Sequence, residues 1–261
     1  EKVEGLSEAQ HADGGVHCYA SIDLINWQDK GMVLSLIKDD PTNDLAFEAN
    51  MDRPKVIYNS TTEKFVLFFK LYPPNQGTGT AYVGVAVSDD PVGQFEYVHK
   101  FKGAGSENGS GDFAMFKDED GKLYHLTVRK PDKSFVVGKM SEDYLLPDGD
   151  YQVLENITYA TEAPAVFKRS GRYHMLSSGS SGWAPNTARY FSSSSLFGPW
   201  EYHGNPLQGV NPYNGLGPEK TFGGQSSYVI EVDGKEDGFI AYFDIHNPDH
   251  PYDGLYIWLP I

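Results

Sequence analysis

The sequence predicts an all-β propeller. Four segments open alike, at 52–58, 111–116, 162–167 and 224–229, each with a polar residue at the mouth of an apolar strand. Each is followed by a polar turn, such as 59–64 or 117–122, and then by a second, aromatic-rich strand. A third-strand theme also recurs: a strand reaches Ser, turns on Asp, Ser, Gly or Pro, and then presents an aromatic. The polar residues Asp52, Asp112, Glu162 and Gln225 lie 60, 50 and 63 residues apart. Self-similarity at such a period is the mark of a propeller, and a sandwich would not repeat the order of motifs.

The elements follow in order. The second strands are expected at 65–69, 123–128, 172–177 and 239–243. Third strands are expected at 15–21, 82–88 and 188–194. The aromatics after them, Trp27, Phe95 and Trp200, suit a short outer strand packing on the next blade. The Gly- and Pro-rich stretch 204–224 and the Gly-rich run 103–111 read as inter-blade loops. The run lacks a following helix, so it is not a phosphate cradle.

At 261 residues the chain fits one propeller domain, 1–261, and 15 Phe with 17 Tyr supply an aromatic core. No apolar run of 18 residues is present, so no membrane partner is expected. The single cysteine, Cys18, excludes an internal disulfide and a cysteine metal cluster. It reads as a buried small apolar side chain. A net charge of −15 without a Lys/Arg stripe makes nucleic acid and acidic membranes poor partners. Three N-x-S/T sequons, at Asn59, Asn108 and Asn156, fall in expected turns where glycans would be tolerated.

First strands of propeller blades all face one axis, so Asp52, Asp112, Glu162 and Gln225 should converge on one pocket. A ring of carboxylates around an aromatic-lined pit suits glycosidic bond cleavage. One carboxylic acid with a raised pKa protonates the leaving oxygen, while another group manages water or the developing positive charge. Trp183 offers a flat face to a sugar, Ser181 and Asn186 offer hydrogen bonds, and Tyr82 starts a third strand within reach. Arg53 is placed to keep a neighbouring carboxylate ionised. The bland alternative for each carboxylate alone is a bond to loop backbone. His17, His125 and His174 read as satisfied core imidazoles.

The segments 161–167, Gly171-Arg172-Tyr173, 177–186, 52–59 and Gly111-Asp112-Phe113 resemble glycoside hydrolase family 43. Within it they look most like the exo-β-1,3-galactanase branch, subfamily 24. The resemblance covers nearly the whole chain. It implies a five-bladed β-propeller that hydrolyses with inversion, releasing galactose from the non-reducing end of β-1,3-galactan or of arabinogalactan main chains. It implies Glu162 as general acid, Asp112 as the residue that tunes that acid and holds the sugar, and Gln225 on the water side. Asp52 matches a sugar-binding carboxylate that is commonly Glu in this branch. Tyr82, Ser181 and Trp183 match pocket-wall positions, and Glu1 matches the Glu that ends the first blade's second strand.

On the same basis the first blade lacks its N-terminal strands, so the expectation is an N-terminally short propeller. No cofactor is required for the chemistry, and a structural calcium in the axial channel, held largely by water and one His, accompanies the family. A secreted, extracellular or periplasmic chain is implied, and the sequons point the same way. Two rivals stand beside this reading. One is an α-L-arabinofuranosidase or β-xylosidase of the same family. The other is a non-catalytic sugar-binding propeller, suggested by the absence of a carboxylate base among the four starts.

Overall fold

The computed structural model describes residues 15–74, 76, 79–182, 184–246 and 255–261. Apart from one 3-10 turn, Pro218–Gly223, inside the long 204–224 loop, its regular elements are antiparallel strands. Strands β1 (Val16–Ala20) and β2 (Gln28–Leu34) pair as a two-stranded sheet. Then come β3 (Asn50–Asn59), β4 (Lys64–Tyr72), β5 (Tyr82–Ser88) and β6 (Glu96–Phe101), in that order in one sheet. The next sheet runs β7 (Ser110–Lys117), β8 (Leu123–Arg129), β9 (Phe135–Lys139) and β10 (Gln152–Val153). A third contains β11 (Thr161–Arg169), β12 (Arg172–Gly179), β13 (Ala188–Ser193) and β14 (Glu201–Gly204). The last described sheet is β15 (Gln225–Glu231), β16 (Phe239–Ile245) and β17 (Leu255–Pro260). The architecture is an all-β propeller, and the sheets from β3 to β17 are four of its blades.

Apolar alternation explains why the blades stack. The inner sheets are covered on both faces, so second strands β4 and β8 are buried over most of their length: Val66, Leu67, Phe68 and Phe69 of β4 expose nothing. Four cores fill the spaces between neighbours. One joins Val33 and Leu34 of β2 to Leu67 and Phe69 of β4. The next joins Phe68 and Val85 to Phe113 and Leu123. A third joins Leu126 and Val137 to Met175 and Phe191. The fourth joins Phe167 and Leu176 to Phe239 and Phe243.

The outer aromatics correct one expectation. Phe95 packs with Val33 and Leu34, and Trp200 packs with Leu126 and Val128, so each covers the preceding sheet and not the next. Trp27 likewise stacks on Trp258 of β17, ring centroids 5.5 Å apart. The turn before each fourth strand folds back over the face that the earlier sheet covers. A second correction concerns Asn59. Its side chain is buried at 1% exposure, donates to the Glu142 carbonyl at 2.8 Å and accepts from the Thr61 amide at 2.9 Å. It folds the β3–β4 turn and is no glycan acceptor, whereas Asn108 and Asn156 are exposed.

What positions the site is a repeated irregularity. Register breaks between Asp52 and Lys55 in β3, Ser110 and Phe113 in β7, Glu162 and Ala165 in β11, and Ser226 and Tyr228 in β15. A bulge inserts an extra residue and re-aims a side chain. Two of these bulges hold a non-glycine residue at positive φ, Arg53 at 56° and Ala163 at 53°. Each directly follows a carboxylate of the repeat, Asp52 or Glu162.

Candidate active site

The bulged ends of β3, β7, β11 and β15 surround a pocket of about 430 Å3. Asp52, Asp112, Glu162 and Gln225 all line it, together with Arg53, Lys70 and Asp244. Four residues drawn from distant parts of the chain are thus brought together, as the repeat requires.

Arg53 sits at the centre of the polar network, at 12% side-chain exposure. Its guanidinium donates to Asp244 Oδ1 at 3.0 Å, to the Ser226 carbonyl at 3.3 Å and, in a close contact, to Gln225 Oε1. It also lies 3.5 Å from Asp112 Oδ2. Lys70 Nζ donates to Asp112 Oδ1 at 3.0 Å. Burial alone would push the Asp112 carboxyl up, but the Arg53 and Lys70 charges outweigh it and hold the group well below the usual carboxylate range. Reciprocally, Asp112 overcomes the burial penalty on Lys70 and keeps it a cation. The Thr127 hydroxyl donates to the Asp112 carbonyl at 3.0 Å and pins the β7 bulge. The pairing of Arg53 with a carboxylate is the arrangement expected from the sequence.

Glu162 is pushed the other way. Burial raises its pKa first, and the Asp112 charge raises it further, against hydrogen bonds from Ser180 and Gln225 that lower it. One pocket therefore holds one carboxyl kept ionised and one shifted towards its protonated form. Environments that separate two pKa values in this way assign acid and base roles. Gln225 Nε2 donates to Glu162 Oε1 at 3.2 Å and to Ser178 Oγ at 2.8 Å. The Ser226 hydroxyl donates to the Ala163 carbonyl at 2.6 Å and ties β15 to β11 beside the Glu162 bulge.

Other expected site residues fall elsewhere. Tyr82 does not line the pocket; its ring lies over Lys100, Nζ 5.2 Å from the centroid, and packs on the core around Phe69. Ser181 and Asn186 brace their own loop. Asn186 accepts from the Gly179 amide and donates to the Gly179 carbonyl, both at 2.8 Å, and the Ser181 hydroxyl donates to the Ala184 carbonyl at 2.6 Å. That bracing presents Gly182 to the pocket. Trp183 and Glu1 lie outside the described residues. Sequence reasoning missed Lys70, Asp244 and Ser178. Lys70 and Asp244 each interrupt an apolar strand, Phe65-Val66-Leu67-Phe68-Phe69-Lys70 and Ala241-Tyr242-Phe243-Asp244, and that interruption was the available signal.

Among the described residues no group of three or more His, Cys, Asp or Glu side chains is arranged to hold a metal ion. His125 is fully buried among Phe101, Phe113 and Tyr151, with Nδ1 2.7 Å from the Tyr151 hydroxyl. His174 stacks on Tyr190 and shares a 2.7 Å hydrogen bond with it. Nε2 of His125 is buried without a hydrogen-bond partner among the described residues, so this imidazole is not fully satisfied as expected, and no chemical step is routed through a metal.

Comparison with known proteins agrees with this geometry. The sequence model described as "Glycosyl hydrolases family 43" matches residues 6–255. No curated protein sequence is significantly similar to the chain. Among solved structures, a family 43 β-1,3-galactosidase with galactodeoxynojirimycin aligns at a TM-score of 0.84 and 31% identity, over 95% of this chain and 82% of that one. A second β-1,3-galactosidase of the family aligns at 0.84 and 32%, over 95% of this chain and 51% of that one. The exo-β-1,3-galactanase of Phanerochaete chrysosporium, in a form with β-1,3-galactotriose, aligns at 0.80 and 28%, over 95% and 54%. The chain spans about half the length of these last two.

Proposed function

This chain belongs to glycoside hydrolase family 43 and is a glycosidase, and from that premise we propose that it releases galactose from the non-reducing end of β-1,3-galactan with inversion at the anomeric carbon. The single observation that carries the catalytic assignment is the divergence of Glu162 and Asp112 within one pocket. The choice of galactose is supported by the neighbours, whose names state action on β-1,3-linked galactosides.

In this reading Glu162 is the general acid. Its protonated form, favoured by burial and by Asp112, delivers a proton to the leaving glycosidic oxygen as the bond to the anomeric carbon breaks. Asp112 stays ionised on Arg53 and Lys70, so its charge is available to raise Glu162 and to accept sugar hydroxyls. Gln225 cannot take a proton as a carboxylate does. It orients the attacking water with the amide carbonyl, and an oxocarbenium-like transition state asks little nucleophilic push of that water. Asp52, on the pocket wall opposite Lys70 in register, binds the sugar.

The β1–β2 sheet is part of a fifth blade in this account. It shares a core with β4 and β5 on one side and stacks Trp27 on Trp258 of β17 on the other. We also expect the chain to act outside the cytoplasm, on polysaccharide main chains such as those of arabinogalactan. The test is a substrate panel of β-1,3-galactooligosaccharides, aryl α-L-arabinofuranosides and aryl β-xylosides. Galactose release from the first, falling about 10²–10⁴-fold in Glu162→Gln, is the expected result. Faster turnover of a pentoside, or equal rates in the variant, would overturn it.

A further inference from the structure

We propose that Ser178 is a positioning residue for this reaction: it fixes the Gln225 amide so that its carbonyl faces the water and its amino group faces Glu162. The proposal rests on the function given above and adds to it a residue that does not line the pocket.

Ser178 lies in β12, directly opposite Glu162 in the β11–β12 register, and is buried at 3% exposure. Its hydroxyl donates to the Gly179 carbonyl at 3.1 Å. With its one proton committed there, the oxygen can only accept, and it accepts from Gln225 Nε2 at 2.8 Å. The second Gln225 N–H goes to Glu162 Oε1 at 3.2 Å. Arg53, a donor only, claims one lone pair of Gln225 Oε1. Both amide hydrogens and one of two lone pairs are therefore used. The remaining lone pair on Oε1 is the one group of Gln225 left to hold a water. A flipped amide would set its amino group against the Arg53 cation and its carbonyl against the Ser178 oxygen. The chain from Gln225 through Ser178 to the Gly179 carbonyl thus selects the single orientation in which a neutral amide can accept from water. The same chain delivers an N–H to the general acid.

Two readouts separate this role from a merely structural one. The first is kinetic, with β-1,3-galactotriose. Ser178→Ala is expected to lower kcat about tenfold with KM within twofold, the size of one lost hydrogen bond in a catalytic arrangement. Ser178→Thr, which keeps the hydroxyl, should restore most of the rate. On a Gln225→Ala background, Ser178→Ala should cost nothing further, because the residue through which it acts is gone. Full activity in Ser178→Ala, or an equal loss on both backgrounds, would overturn the proposal and leave the function intact. The second readout needs no turnover: the titration midpoint of Glu162, followed by carbon-13 NMR of labelled glutamate. Donation from Gln225 favours the ionised carboxyl, so Ser178→Ala should raise the midpoint in the same direction as Gln225→Ala, and Ser178→Thr should leave it in place. If the wild-type chain releases no galactose, the functional reading fails, and an unmoved midpoint in Ser178→Ala would sink the positioning role separately.

Discussion

At the scale of single residues, Asp112 and Glu162 divide the work because two cations pair directly with Asp112, while Lys70 reaches Glu162 only as the weakest of the influences on it. Arg53 lies 3.5 Å and Lys70 3.0 Å from Asp112, while Glu162 receives only neutral donors from Ser180 and Gln225. The sign of the resulting pH dependence follows. Glu162 must be protonated to act, so activity falls as pH rises through its raised pKa. Asp112→Asn removes the charge that helps raise it. The alkaline limb of kcat/KM should then move to lower pH in the residual activity of Asp112→Asn, and a pH–rate profile checks this. An unmoved limb would mean that Asp112 does not set the acid. Asp52, Asp112, Glu162 and Gln225 were legible in the sequence because each opens a repeat. Lys70, Asp244 and Ser178 were not, because they stand in second strands and meet their partners Asp112, Arg53 and Gln225 across blades, which no motif encodes; only the polar interruption of an apolar strand marks the first two.

At the scale of elements, the four bulges explain why polar side chains at strand mouths reach the pocket. The sequence showed the repeat but not the bulge, since nothing in Asp52-Arg53-Pro54 or Glu162-Ala163-Pro164 demands positive φ at the middle residue. Strand β9 went unread although Phe135–Lys139 is followed by the same theme, Ser141, a Glu-Asp turn and Tyr144, which packs in the core with Phe68 and Val85 of the preceding sheet. The approach to the Asp112 bulge has its own constraint. Gly109, just before β7, has φ 70°, and an added Cβ would lie 1.8 Å from the Ala81 carbonyl oxygen just before β5. Gly109→Ala is both strained and obstructed, and it should cost about 1–3 kcal/mol or more. Thermal melting should show a drop of roughly 2–4 °C per kcal/mol. An unchanged melting temperature would show that the β5–β7 contact is dispensable.

At the scale of the whole molecule, apolar layers lie between the sheets, four of them among the described residues, and the charges at the centre act against that burial. Lys55 is the clearest case. It is 5% exposed, and among the described residues its ammonium makes one long, 3.4 Å hydrogen bond, to the Arg53 carbonyl. Burial and the Arg53 charge pull its pKa down to about 8. A lysine so depressed costs stability while charged. As pH rises from about 8 towards the ordinary lysine value near 10.4, the folded chain gives up the proton that the unfolded chain still binds, and stability increases. Lys55→Met should therefore melt higher than wild type at pH 7, with the advantage shrinking towards pH 10. Calorimetry at three pH values would show it, and a variant that melts lower at pH 7 would mean that Asp112 and Asp244 gain more from this cation than burial takes away. The architecture was readable at this scale because repeated motifs report repeated blades. The direction in which Trp27, Phe95 and Trp200 pack was not, because a motif does not say which face its turn folds over.

These scales meet in one claim, that Glu162 donates the proton while a water, and no enzyme nucleophile, attacks the anomeric carbon. The most direct test is proton NMR of the first galactose formed from β-1,3-galactotriose, taken before mutarotation, with Glu162→Gln run alongside. The account predicts the α-anomer from the wild-type chain and almost none from the variant. Release of the β-anomer, or the same α-anomer at an undiminished rate in the variant, would contradict it.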